Sequence, residues 1–382
     1  MKYKLSDICE YAKGKIKVSV LDENTYISTE NMLPNKGGIA KAASLPTQEQ
    51  TQAFMKNDVL VSNIRPYFKK IWYATFDGGC SNDVLVFRVK EGVSSRFLHY
   101  VLADDTFFDY SMATSKGTKM PRGDKKAIME YEVPKLSYEE QCKIAGILEV
   151  IDEKIELNKD INKNLEQQAQ AYFDELFVVN ADPNWSECTL SDIGSVVAGG
   201  TPSKSKPEYY ADQGIAWITP KDLSVNKSKF ISHGENDISD LGFSKSSAAK
   251  MPAGTILFSS RAPIGYIAIA QNEVTTNQGF KSVIPNENSS TAYMYFLLKN
   301  LLPTIEGMAS GSTFKEISGA AMKSVPTVMP DADTIQLFSS FCEPVFKEQE
   351  ILEAENQRLS ALRDSLLPKL MSGEIDVSDI EL

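Results

Sequence analysis

The seven-residue period running through 137–177 is the feature that most restricts how this chain can fold. Every seventh residue from Ile144 gives Ile144, Ile151, Asn158, Leu165 and Tyr172, and the interleaved set gives Leu148, Ile155, Asn162, Ala169 and Leu176. Only Asn158 and Asn162 are polar. An apolar seam kept over about five heptads predicts a coiled-coil helix, a rod about 60 Å long for some forty residues. Ser137 followed by Glu140 reads as a capping box, and Pro134 keeps the helix from starting earlier. Near the C-terminus the period returns as Phe338, Val345, Leu352, Leu359 and Leu366, interleaved with Ile335, Cys342, Gln349, Asn356, Arg363 and Leu370. Two helices with apolar ends and amide-bearing middles match best antiparallel, because an amide buried opposite leucine loses its hydrogen bonds. The same pattern also suits two core helices of a larger bundle. Pro344 should break or kink the second helix near its start.

Around these helices the chain repeats itself. Leu5-Ser6-Asp7-Ile8 recurs as Leu190-Ser191-Asp192-Ile193, and Val59-Leu60-Val61-Ser62 before Arg65-Pro66 recurs as Ile256-Leu257-Phe258-Ser259 before Arg261 and Pro263. Ser81-Asn82 matches Thr276-Asn277, and amphipathic helices are expected over 97–110 and 293–305. Each is followed by a Gly-Ser/Thr loop, then by Val133-Pro134 or Val325-Pro326, then by a heptad helix. One tandem duplication accounts for all of this. The expectation is an α/β (α+β) chain with two similar globular domains separated by two long helices forming an antiparallel coiled coil, an internal pseudo-two-fold repeat. The boundaries read as 1–136, helix 137–178, a linker ending at Trp185, 185–331, helix 333–371 and a tail 372–382.

Net charge is −11, which argues against nucleic acid until it is divided. The heptad stretches 139–178 and 333–382 carry −6 and −7, whereas 1–138 carries +4 and 179–332 carries −2. Acidity therefore sits on the helices and basic residues on the globular parts. No run approaches 18 apolar residues and Met1–Glu10 has no apolar core, so neither a membrane span nor a secretion signal is expected. Five scattered cysteines (Cys9, Cys80, Cys142, Cys188, Cys342) without a C-x-x-C pair suit a reducing cytoplasm and offer no metal site. There is no phosphate loop, no H-E-x-x-H and no G-x-S-x-G. His99 reads as half-buried structure, and Asp104-Asp105 and Asp152-Glu153 read as solvated surface. No element for a methyl donor or a flipped base is present, so neither catalysis nor a bound cofactor is expected.

Gly199-Gly200-Thr201-Pro202-Ser203, Trp217-Ile218-Thr219 with Asp222, Ser259-Ser260-Arg261-Ala262-Pro263, Asn277-Gln278-Gly279-Phe280 and the tail Leu366 to Ile375 together resemble the specificity subunit of type I restriction-modification systems. The likeness extends over both halves and is sharper in the second; in the first, Gly14-Lys15-Ile16 replaces the Gly-Gly-Thr-Pro pattern and no tryptophan matches Trp217. The resemblance implies two target-recognition domains, each reading half of a split double-stranded DNA sequence with a fixed spacer. It also implies two adenine methylase subunits docked on the helices, and a restriction (translocase) subunit that joins them.

DNA reading needs basic and hydrogen-bonding side chains on loops held by a rigid unit. The best candidates are Lys116, Lys119, Arg122, Lys125 and Lys126, set against the single Asp124. The matching loop of the second half offers Ser312, Thr313 and Lys315, with phosphate contact expected from Lys204, Lys206 and Lys221. Arg65 and Arg261, each beside a proline, read as matching positions and hence as structural rather than base-reading. Two other readings remain for the sequence: a DNA methyltransferase acting alone, and a coiled-coil scaffold without DNA affinity.

Overall fold

The polypeptide divides into two compact units, Met1–Ile155 with Arg358–Leu382, and Glu156–Gln357. The computed structural model describes residues 2–311, 315–378 and 380. Two long helices, Tyr138–Asp174 and Ala332–Ser372, contribute to both units. The central helix begins at a reciprocal cap, the Ser137 amide donating to Glu140 Oε2 (2.7 Å) and the Glu140 amide to Ser137 Oγ (3.2 Å). It ends in a wider turn, Glu175–Val179. Of the break or kink expected at Pro344, the break is absent: the C-terminal helix is continuous from Ala332 to Ser372. Both Pro344 and Ser340, whose carbonyl loses its helical donor, are exposed, so water can take the place of the missing bond.

In the first unit Ile144 and Leu148, near the start of the central helix, share a core with Leu367 and Leu370, near the end of the C-terminal helix. In the second, Ala169, Phe173 and Phe177 share a core with Ile335, Phe338 and Cys342. Beginning meets end in both, so the helices run antiparallel. Side chains buried this fully contribute roughly 1.5–3 kcal/mol each, which is why tertiary packing rather than propensity holds the helices. Of the three amides expected to meet, two do: Asn158 Nδ2 donates to Asn356 Oδ1 (2.9 Å) and to Glu355 Oε2 (2.8 Å). Asn162 instead offers its backbone carbonyl to Gln349 Nε2 (3.1 Å), and its buried amide oxygen has no partner.

Each unit sets two main sheets against short helices. In the first, the strands Cys9–Tyr11, Val84–Val89, Val59–Ser62 and Ile71–Tyr73 form an antiparallel sheet, and Lys15–Lys17, Gln50–Phe54, Gly78–Cys80 and Tyr26–Ile27 form a mixed one. In the second, Gly194–Ala198, Lys281–Pro285, Ile256–Ser260, Ile264–Ala270 and Phe230–Ile231 form the larger sheet, and Tyr210–Ala211, Asn236–Ile238, Ile215–Ile218 and Thr275–Thr276 the smaller. Strands bury Val59 and Phe87 in one unit and Ile256 and Val283 in the other, and Leu5 and Leu190, which open the short helices Leu5–Ile8 and Leu190–Ile193, join the same cores. The long amphipathic helices expected after these strands are each two helices. Asp104, extended at φ −64 and ψ 138, ends Ser95–Ala103 and caps Asp105–Ala113; Thr291–Asn300 gives way to Leu302–Met308, which carries Pro303 in its first turn.

Register fixes how the halves correspond. Ile27 pairs with Cys80 as Ile218 pairs with Thr276, so Ser81 matches Asn277 and Tyr26 matches Trp217, one residue away from the match expected for Ser81-Asn82. Likewise the Gly123 amide bonds to Asn63 (3.2 Å) as that of Ile317 bonds to Ser260 (3.1 Å). Asn63 thus answers to Ser260 and Ile64 to Arg261, and the counterpart of Arg65 is Ala262. Both Arg65 and Ala262 hold the left-handed conformation, φ 50 and 53. Aligning the two arginines was an error of one residue.

Four side chains read as surface or interior without a role, Asp104, Asp105, Asp152 and His99, have defined partners or surroundings. Asp104 is buried as a cap, and Asp105 takes Lys36 (2.9 Å) and Lys69 (2.7 Å). Asp152 accepts from Tyr100 Oη (2.8 Å) and Arg363 Nη1 (2.8 Å), and burial beside them pushes His99 down to about 4. Asp104 is buried and Asp152 half-buried, against the expectation of solvated surface, whereas Asp105 and Glu153 are exposed as expected.

Candidate nucleic-acid interface

The stretch 115–126 folds into a hairpin followed by a helical turn. Lys116 and Arg122 exchange both backbone hydrogen bonds (2.9 and 3.0 Å) around Gly117, whose φ of 92 suits glycine. Asp124 then caps Lys125–Ile128, accepting from the amides of Lys126 and Ala127. All five candidate cations are exposed. Their charges are not equally available: Lys116 Nζ lies 2.6 Å from Asp124 and Arg122 Nη2 lies 3.2 Å from Asp83. Hydrogen bonding from Lys116, then from the two amides, brings the Asp124 carboxyl down to about 2. Among the described residues Lys119, Lys125 and Lys126 form no ion pair, and the unbalanced positive charge of this loop rests on them.

The hairpin is fastened to a second turn. Ile64 bridges to Arg122, and the Arg65 amide donates to the Pro121 carbonyl (2.8 Å). Arg65 and Lys69, both left-handed at φ 50, flank the turn Pro66–Phe68. Phe68 and Lys69 accept from the amides of Asn35 and Lys36 (2.8 Å each), so the turn is tied on two sides. Tyr67 and Phe68 lie 4.7 Å apart between ring centres, and 49% and 37% of their surfaces remain exposed beside the exposed Arg65. Sequence reasoning passed over this turn; matching Pro66 to Pro263 instead of arginine to arginine brings it out.

In the second unit the matching hairpin is closed by Ser310 and Glu316, so a carboxylate stands where the first unit has Arg122. Glu316 takes Arg261 (3.4 Å) and the buried Lys281 (3.8 Å). Lys315 is exposed, while Ser312 and Thr313 lie outside the described residues. Lys204, Lys206 and Lys221 are exposed, but Lys206 lies 3.7 Å from Glu208 and Lys221 2.5 Å from Glu235, which leaves Lys204 with the least compensated charge. The glycine-rich stretch is scaffold here. A Cβ on Gly199 would stand 1.9 Å from the Asn277 carbonyl oxygen, and the Gly200 carbonyl accepts from Trp217 Nε1 (2.9 Å). Asn277 Oδ1 in turn accepts from the Gly279 amide, closing the turn that Ser260 holds from the far side. Thr219 and Asp222 form a capping box at Pro220–Val225. These residues shape the loops and leave their tips to vary.

Among the described residues no group of three or more His, Cys, Asp or Glu side chains is placed to hold a metal, and no helix is long and apolar enough to cross a membrane. The two units thus present differently charged loops on one repeated frame.

Known proteins share that frame. The MjaIX type I restriction enzyme specificity subunit of Methanocaldococcus jannaschii is 38% identical over 190 residues, 47% of this chain, and the chain spans 44% of that protein's length. The HindI specificity subunit of Haemophilus influenzae is 27% identical over 97% of this chain and 100% of its own length. The crystal structure of the type I restriction-modification S subunit from M. genitalium has the same fold, with a TM-score of 0.59 at 18% identity, covering 97% of this chain and 96% of that one. The sequence matches the type I restriction modification DNA specificity domain twice, over 1–167 and 183–361. A chain in which that domain occurs twice, each time as a unit of repeated topology, belongs to the type I restriction-modification specificity family.

Proposed function

We propose that the chain reads a split, asymmetric double-stranded DNA target, one half with each of the stretches 1–136 and 185–331, and supplies that reading to catalytic partners in the cytoplasm. The observation that carries the proposal is the double occurrence of one DNA specificity domain on loops of different charge. Two copies of one frame with unlike loops suit a target with two unlike halves. The chain's own role is recognition. Methyl transfer to adenine comes from two methylase subunits, and cleavage from a restriction subunit that joins them.

The helices carry the partner side of the reading. Within the second unit Leu157, Leu337, Phe341 and Ile351 leave large apolar surfaces in solvent on helices whose other stripe is buried. Exposed apolar side chains repeated along a helix suit a partner helix or groove. The test is methylome sequencing of cells that express this chain with its methylase, beside a preparation of the chain alone. Adenine methylation at a two-part asymmetric sequence, dependent on both proteins, is expected. A symmetric or single-part target, or methyl transfer by the chain alone, would sink the reading.

A further inference from the structure

The strongest unassigned feature is the turn Arg65 to Phe68. It is rigid: its ends are left-handed, Pro66 is buried, and amides from 35 and 36 hold it on one side while Pro121 holds it on the other. It is apolar and cationic at once, with Arg65, Tyr67 and Phe68 exposed, and it is fastened to the hairpin that carries the unpaired Lys119. Rigid aromatic groups next to a guanidinium are poorly suited to solvent and well suited to base edges. Most tellingly, the described residues of the second unit contain no such turn at the matching place. The register places Ala262-Pro263 opposite Arg65-Pro66, followed directly by the strand Ile264–Ala270. Base-reading groups must differ between domains that read different sequences, whereas groups that hold the frame recur, as Pro66 and Pro263 do.

We propose that Arg65, with Tyr67 and Phe68 beside it, is the base-reading element of the first unit, Arg65 contacting a guanine and the two rings making apolar contact with the neighbouring bases. The lysines at 119, 125 and 126 then hold phosphates and set position. Arginine presents a planar fork that matches guanine O6 and N7, and rings on a fixed turn lose little freedom on contact. The proposal rests on the reading that this unit binds DNA, and it narrows where in the unit the sequence information lies.

The experiment uses the full chain assembled with its methylase, and selects bound DNA from a randomised pool at several salt concentrations. Arg65→Ala is expected to relax one G·C position in one half-site by about tenfold or more, without altering the other half-site. Continued selection of the second half-site shows that the variant is folded. Arg65→Lys keeps the charge but loses the fork, so it should keep the salt slope and still relax the same position. Tyr67→Ser with Phe68→Ser should relax positions next to it. Wild-type selection by all variants overturns the inference. So does an even loss of affinity over all sequences with a shallower salt slope, which marks a phosphate contact. Failure of the unaltered protein to select any sequence removes the proposed function, and this inference with it; selection by the unaltered protein and all variants alike removes only the inference.

Discussion

The side chains with the largest consequences are lysines of opposite character. Lys119 is exposed and unpaired, whereas Lys229 is 7% exposed, its ammonium paired with Glu166, bonded to Gln349 (2.7 Å) and 4.0 Å from the centre of the Phe346 ring. Lys119→Ala should reduce the salt slope of DNA binding by about one, and Lys116→Ala by less, because Asp124 already offsets Lys116. Titration against DNA at several ionic strengths decides between them. Glu166 also pairs with Lys299 (2.5 Å). Burial alone would raise its pKa, but the two lysines together hold it below the ordinary carboxylate value. A lowered folded value means that the stabilisation is complete above about 4.3, the unfolded value, and is lost as pH falls through the folded one. Glu166→Gln should therefore cost about 3 kcal/mol at neutral pH, a gap to wild type that narrows on acidification. Thermal unfolding at stepped pH measures it, and a gap independent of pH would contradict the assignment. Nothing in the sequence marks Lys229 as interior, since its cage is assembled from 166, 295, 346 and 349. Arg65 was visible but misplaced, because a one-residue shift between repeats leaves every local pattern intact.

At the scale of elements, the heptad reading found both long helices because the apolar period persists whatever the neighbours are. It also found the meeting of Asn158 and Asn356. It failed where a side chain offers the backbone an alternative: Asp104 cuts one helix into two, and no periodicity of 97–110 reveals that Asp104 is a cap. The break expected at Pro344 does not occur, since solvent can satisfy what proline leaves unpaired. Asn158 is fully buried, and replacing it alone removes the donor shared by Glu355 and Asn356. Asn158→Leu should lower stability by about 1–3 kcal/mol. Adding Asn356→Leu should recover part of that loss while weakening the register, because paired amides specify alignment more than they stabilise. Denaturation curves give the first effect and the oligomeric state gives the second. Asn162→Leu should be nearly neutral, since its amide oxygen is unpartnered within the seam.

Over the whole molecule the charge division survives: basic loops belong to the first unit, and the second neutralises Lys206, Lys221 and Arg261 internally. The repeat, and with it the family, was legible because strand hydrophobicity, turns and caps are written locally, whereas register is not. The assignment of loop tips was less legible, because positions that read different bases must lack a shared pattern. The first unit is discontinuous, since its core takes in Leu367, Leu370 and Val377 from the last 25 residues, Arg358–Leu382, and Lys143 Nζ bonds to the Ser378 carbonyl (2.8 Å). The second, Glu156–Gln357, is a single stretch. The second unit is therefore expected to complete its fold before the first. In synthesis the first unit's sheets precede the whole second unit, and the segment 358–382 that completes their core follows it, so the half begun earlier is completed later. Release of 1–357 should yield a protein whose second unit resists protease while its first is digested. Limited proteolysis of stalled nascent chains would show the second unit gaining protection before the first.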